Sequence, residues 1–248
     1  MDTLVAILAA TLAAGTPLVF AALGELVTEK SGVLNLGVEG MMLIGAVAGF
    51  AATATTGSVW IGMLAGMAGG ALLALVFAVL TLTLQANQVA AGLALSIFGV
   101  GLSAFVGRDF VSVALPSQPA LRLPLLGDVP WLGDALFNQH ALVYVSWLLF
   151  AAVAWFLYRT RAGLVLRAVG ESPASATAVG YRVIGIRYLA TLFGGACAGV
   201  GGAYLSTVYT PLWVEGMTSG RGWIALALVV FATWRPARVM LGAYLFGG

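Results

Sequence analysis

Side chains able to do chemistry are scarce in this 248-residue chain, and they gather in a few places. Asn35 and Glu39 lie in a run broken by Gly32, Gly37 and Gly40, immediately ahead of a long apolar stretch. An amide that both donates and accepts suits a sugar hydroxyl or the edge of a base, while a carboxylate near the membrane is costly unless it is paired or used. Non-helical backbone at membrane depth is tolerated only where protein or a watery cavity surrounds it, so this break can line a solute path. Capping of the following helix by Asn35 and Glu39 explains the same residues equally well. Val38-Glu39-Gly40-Met41 recurs as Val214-Glu215-Gly216-Met217, either as a weak inverted repeat or by chance in so biased a composition. Arg221 then has three readings: a partner for Glu215, a contact for a docked protein, or a residue at headgroup level.

Five of the eleven basic residues, Arg159, Arg161, Arg167, Arg182 and Arg187, crowd into one stretch between two apolar runs. Inside it, Ser172 is a favoured N-cap, Pro173 fits the first helical position, and Gly180 can take the left-handed turn that ends a helix. This spacing predicts an isolated two-turn helix with Glu171 at its positive end. Two turns are unstable alone in water, and Ala174, Ala176 and Ala178 offer a small, shallow surface, which suits docking against another protein. A plain positively charged loop with one helical turn is the alternative.

Catalytic constellations are missing. His140, the sole histidine, stands at a loop-to-helix junction and reads as an interfacial residue; no Cys/His cluster offers a zinc site. Cys197 sits in an apolar small-residue run, reads as packing, and has no second cysteine to pair with. Lys30 is the only lysine, and no Gly-x-x-x-x-Gly-Lys-Ser/Thr loop exists to cradle nucleotide phosphates, so any ATP must be hydrolysed by another polypeptide. The expectation is therefore no enzyme, no metal and no cofactor. A net charge of +2 with its basic residues in loops gives no reason to expect nucleic acid.

These residues must be positioned by membrane helices. Apolar residues make up 61% of the chain and charged ones 8%, with a mean hydropathy of +1.04, which a globular domain does not reach. Apolar stretches fall near Thr3–Leu23, Met41–Thr56, Val59–Leu84, Val89–Val106, Ala141–Tyr158, Tyr188–Tyr209 and Gly222–Trp234, and another begins near Ala237. The fold expected is an all-α, polytopic transmembrane helical bundle of about seven to eight membrane segments with broken helices. Its glycines suit helices that approach closely in lipid. Placing residues 159–187 in the cytoplasm puts Lys30, the five arginines, Arg235 and Arg238 inside, and Arg108, Arg122 and Arg221 outside, as the positive-inside rule requires. The N-terminus is then outside. Residues 107–139, with Pro116, Pro119, Pro124, Pro130, Asp128, Asp134 and Trp131, read as an ordered extracytoplasmic loop. Residues 1–248 are expected to form one transmembrane domain containing the cytoplasmic loop 159–187. The apolar run Val239–Gly248 is about half a span, which predicts C-terminal truncation.

Gly170-Glu171-Ser172-Pro173-Ala174, with Ala176, Ala178 and Gly180, resembles the Glu-Ala-Ala-type cytoplasmic loop of ATP-binding-cassette importer permeases. Gly24-Glu25-Leu26 and Lys30-Ser-Gly-Val-Leu-Asn-Leu-Gly-Val-Glu-Gly-Met-Met42 are similar to the N-terminal signature of the nucleoside and simple-sugar branch of that class. Asn87-Gln-Val-Ala-Ala-Gly92 and Glu215-Gly-Met-Thr-Ser-Gly-Arg-Gly-Trp-Ile-Ala-Leu-Ala227 match two further blocks. The wording around Asn35 is closer to the nucleoside permeases than to the ribose type. The resemblance implies an importer subunit in the cytoplasmic (inner) membrane, working by alternating access. It implies as partners an ATPase subunit, a second permease subunit in a heterodimer, and an extracytoplasmic substrate-binding protein. It assigns Glu171, Ser172, Pro173, Ala174, Ala176, Ala178 and Gly180 to ATPase coupling, and Asn35, Glu39, Asn87 and Glu215 to the substrate pathway. Nucleosides are the expected cargo, with a simple sugar such as ribose the alternative. A secondary transporter or channel would need titratable groups within the spans to couple ions, and the apolar stretches hold almost none. A purely structural scaffold would leave the capped helix and the broken segments unexplained.

Overall fold

A computed structural model describes residues 2–122, 133 and 136–247. Among the described residues ten α-helices are arranged in the order α1 (Asp2–Lys30), α2 (Val38–Thr56), α3 (Val59–Ala78), α4 (Gln88–Gly107), α5 (Ala141–Arg159), α6 (Arg161–Glu171), α7 (Pro173–Ala178), α8 (Val183–Tyr204), α9 (Arg221–Phe231) and α10 (Pro236–Gly247). Two continue into π-helical turns, α3 through Val79–Thr83 and α8 through Leu205–Tyr209. The only ladder among the described residues is β1 (Leu121–Arg122) against β2 (Asn138–Gln139), two residues each. The architecture is the expected all-α polytopic bundle.

Among the described residues six helices are long and apolar enough to span a bilayer: α1, α2, α3, α4, α5 and α8 with their π-helical or 3-10 extensions. The expected stretch Gly222–Trp234 instead yields the eleven-residue α9, and the chain beyond Ala237 belongs to the twelve-residue α10. At 1.5 Å per residue α9 covers about 16 Å, roughly half a hydrocarbon core.

Helix α8 lies at the centre, against α1, α2 and α3. Apolar area drives little association in lipid, so close backbone approach must do more of the work, and the glycines of α8 permit it. A methyl group built on Gly199 would stand 2.1 Å from the Gly66 carbonyl oxygen of α3, and one on Gly45 of α2 would stand 2.3 Å from the Gly199 Cα. Short polar bonds fasten the same contacts: Ser206 donates to the Ala46 carbonyl at 2.8 Å and Thr28 to the Ala190 carbonyl at 3.1 Å.

Between α8 and α9 the chain from Thr210 to Gly220 holds turns and one isolated antiparallel bridge, Leu212 to Ala114. Trp213 is fully buried there beside Ala46, Val47, Phe50 and Leu115, and Leu115 donates its N–H to the Pro211 carbonyl at 2.9 Å. Pro116 and Pro119 lie in the extended stretch that follows α4, whereas Pro124, Asp128, Pro130, Trp131 and Asp134 lie outside the described residues.

Candidate functional site

The arginine-rich stretch folds into two helices where the sequence spacing predicted one. Thr160 caps α6, accepting from the Gly163 N–H at 3.0 Å, and α6 lays Leu166 and Val169 inward. Arg167 on α6 places its guanidinium 5.4 Å from the Tyr158 ring centroid. Ser172 then caps α7, its hydroxyl accepting from the Ser175 N–H at 3.3 Å, with Pro173 at the first helical position and Gly180 at a φ of +94° just beyond the end. Six residues long, α7 is held by its own chain as well as by its caps. Ala176 is 5% exposed and faces inward, while Ala174 and Ala178 face outward with Glu171. Val179, Tyr181 and Ile184 extend the exposed surface, Val179 being 76% exposed. Val179 and Tyr181 escaped the sequence reading because isolated apolar residues in a turn carry no periodicity, and Ile184 because it lies in the first turn of α8, ahead of the apolar run expected from Tyr188.

Residues Ser31–Gly37 make the break between α1 and α2. Asn35 is fully buried: its Oδ1 accepts from the Gly37 N–H at 2.9 Å, its Nδ2 lies 3.3 Å from the Met41 sulfur, and its own N–H donates to Glu25 Oε1 at 3.1 Å. Glu25 therefore pins the break onto α1; its second oxygen is buried without a partner. This role was hidden because ten positions separate Glu25 from Asn35 in the sequence.

Glu39 is 6% exposed and caps a helix other than its own. Its Oε1 accepts from the Thr218 hydroxyl at 2.5 Å and the Gly220 N–H at 2.9 Å, and its Oε2 accepts from the Gly222 N–H at 2.7 Å. The start of a helix carries free N–H groups and about half a positive charge, so the carboxylate answers both for α9. The first Val-Glu-Gly-Met segment thus bonds to residues just after the second, and the two glutamates differ in environment. Glu39 is buried, whereas Glu215 is exposed in the turn that leads into α9. Arg221 directs its guanidinium at the Met217 and Thr218 carbonyls, 3.4 and 3.3 Å away.

Asn87 caps α4, accepting from the Ala90 N–H at 3.0 Å, and stays exposed. Its neighbour Gln88 reaches across to the break, where Gln88 Oε1 accepts from the Leu34 N–H at 2.8 Å. Beside this bond lies a cavity of about 240 Å³ lined by Glu29, Gly32, Val33, Leu34, Gln88 and Trp234. Trp234 Nε1 donates to Glu29, closing one wall. Asn35 stands next to this cavity in sequence, and Asn87 next to Gln88; Glu39 and Glu215 belong to the α9 cap and its entry turn. His140 caps α5, accepting at Nδ1 from the Leu142 N–H at 3.2 Å, and partial burial lowers its pKa below the usual imidazole value. Cys197 is buried and free. Among the described residues no group of three or more His, Cys, Asp or Glu side chains is arranged to hold a metal ion.

Residues 7–248 match the family described as "Branched-chain amino acid transport system / permease component". The chain is 49% identical to a putative glucose ABC transporter permease protein of Haloferax volcanii over 97% of this chain and 74% of that protein. It is 34% identical to a guanosine ABC transporter permease protein of Bacillus subtilis over 98% of this chain and 79% of that one. A nucleoside ABC transporter permease protein of Lactococcus lactis is 33% identical over the whole of this chain and 81% of its own length. A second guanosine permease protein of Bacillus subtilis is 24% identical, over 94% of this chain and 69% of its own length. No solved structure matches the chain.

Proposed function

The chain belongs to the family of ABC transporter permeases described as the permease component of branched-chain amino acid transport systems, and from that membership we propose that it is the membrane permease subunit of an ATP-driven importer for a nucleoside or a simple sugar. The observation that carries the reading is a match along nearly the whole chain to permease proteins of both cargo classes, together with an exposed, doubly capped α7 at the arginine-bearing end of the bundle. Residues 1–248 act as one permease domain, and residues 159–187 form its coupling loop. ATP is hydrolysed by a partner ATPase, which seats against Glu171, Ser172, Pro173, Ala174, Ala178 and Gly180, while Ala176 holds α7 on the rest of the loop. Two guanosine permease proteins in one organism, both similar to this chain, support pairing with a second, related permease. A substrate-binding protein delivers cargo at the opposite face.

The pathway runs past the break at residues 31–37 and the α9 cap. Asn87 and Glu215 border it, and Asn35 and Glu39, both buried, shape it from behind by fixing the break and the start of α9. A half-helix whose N-terminus lies at membrane depth is a recurring way to bring backbone polarity to a transported solute. The Gly-Val-Glu-Gly-Met-Met wording and two relatives favour a nucleoside; the 49% identity to a putative glucose permease favours a hexose. Uptake by the complete complex in proteoliposomes, with guanosine and glucose each labelled and each offered as competitor, decides between them. ATP-dependent uptake of neither class would overturn the reading.

A further inference from the structure

The coupling loop and the break between α1 and α2 touch directly, and the contact has no slack. Gly170, the penultimate residue of α6, lies so close to the end of α1 that a methyl group on it would stand 2.2 Å from the Lys30 carbonyl oxygen. On the facing side, a methyl group on Gly32 would stand 3.3 Å from the Gly170 Cα and 2.9 Å from an Arg187 nitrogen. Arg187, near the start of α8, donates from Nε to the Ser31 carbonyl at 3.1 Å. The Lys30–Gly32 turn is therefore gripped between α6 and α8, the helices on either side of α7. Backbone-to-backbone contact has no side chain that can change rotamer and absorb a displacement, so a shift of Gly170 must move the turn.

The other side of that turn is the wall of the cavity of about 240 Å³, since Gly32, Val33 and Leu34 line it. Gln88 on α4 and Trp234 beyond α9 line it too, and Trp234 is bonded to Glu29 on α1. Movement of the turn thus changes the spacing of α1, α4 and the α9 end together.

We propose that the joint of Gly170, the Lys30–Gly32 turn and Arg187 is where displacement of the coupling loop enters the bundle and opens or closes the cavity beside Gly32, with Arg187 as the positioning residue that keeps the turn seated. This rests on the importer reading. A salt bridge would not serve as well, because the Ser31 carbonyl is fixed in the backbone and the bond to it reports the position of the turn itself.

The test is the amount of solute moved per ATP hydrolysed by the complete reconstituted complex with its ATPase, second permease and binding protein. Arg187→Met is expected to lower that ratio at least roughly tenfold, the size of an ordinary coupling free energy, while Arg187→Gln, whose amide N–H follows Cδ as Arg187 Nε does and can donate to the same carbonyl, stays within about threefold of the natural protein. Gly170→Ala, which forces the turn away, shifts the ratio in the same direction as Arg187→Met. If uptake and hydrolysis instead fall together in Arg187→Met, with their ratio unchanged, the joint is only structural support and the proposal is overturned while the importer reading stands. A natural complex whose hydrolysis does not respond to binding protein and solute removes the importer reading, and this proposal with it. Should Gly170→Ala fail to assemble, the Arg187 pair decides alone.

Discussion

Glu39 and Gly222 meet at 2.7 Å across 183 positions of sequence, carboxylate oxygen to backbone N–H. The bond ties the first helix after the break to a half-helix near the other end of the chain. Replacing Glu39 with Ala strands the Gly220 and Gly222 N–H groups and the Thr218 hydroxyl in a buried site, at about 1–3 kcal/mol for each group that finds no substitute. Glu39→Gln keeps one acceptor and loses the charge that answers the helix end, so it falls between. Thermal unfolding of the purified protein in detergent should rank natural, Gln and Ala in that order; equal stabilities would show that the cap contributes nothing.

The two alanines of α7 have opposite environments. Ala174 is exposed and Ala176 is buried against its own chain, so a bulky charged residue does different damage at each. Ala174→Glu is expected to leave a folded permease that no longer co-purifies with its ATPase. Ala176→Glu is expected to dislodge α7 itself, which limited proteolysis at residues 171–181 would report as faster cleavage. Normal ATPase capture by Ala174→Glu would remove that face from the docking surface.

Periodic features were legible before any coordinates. Apolar runs of 16 or more residues marked the six long spans, while the shorter runs at Gly222–Trp234 and beyond Ala237 raised the expected number to seven or eight; Ser172, Pro173 and Gly180 marked both ends of α7, because caps and turns are local chemistry. Features that depend on contact between distant segments were not legible. Glu39 could be read only as a cap for α2 or as a lining residue, since nothing near it in the chain names Gly220. Glu25, Gln88 and Trp234 escaped notice because each acts on a backbone group or side chain far off in sequence. Helix α9 was expected to be longer because hydropathy marks apolar residues and says nothing of where the helix ends: it stops at Phe231, and the backbone turns to positive φ at Thr233 and Trp234.

Asn35 separates positioning from solute contact. Asn35→Leu removes the acceptor for the Gly37 N–H and should cost about 1–3 kcal/mol, while Asn35→Ser, whose hydroxyl can make a weaker version of the same turn, should cost less. Because the side chain is fully buried, the leucine variant should transport more slowly with an unchanged KM for solute. A raised KM with intact thermal stability would mean instead that the amide touches the cargo.

Gly199 and Gly101 test the packing of the bundle with the same substitution. A methyl group on Gly199 meets the Gly66 carbonyl oxygen at 2.1 Å, with no flexible side chain to yield, whereas one on Gly101 of α4 meets nothing within 4 Å. Gly199→Ala must therefore push α3 from α8, at a cost of about 1–3 kcal/mol for overpacking. Gly101→Ala adds no clash and removes a glycine from a helix interior, which should stabilise by about 0.5–1 kcal/mol. Opposite shifts in the unfolding temperature of the two variants are expected in one detergent. Equal shifts would mean that α8 tolerates displacement, and then the close approach of Gly199 to Gly66 could not be what holds the centre of the bundle together.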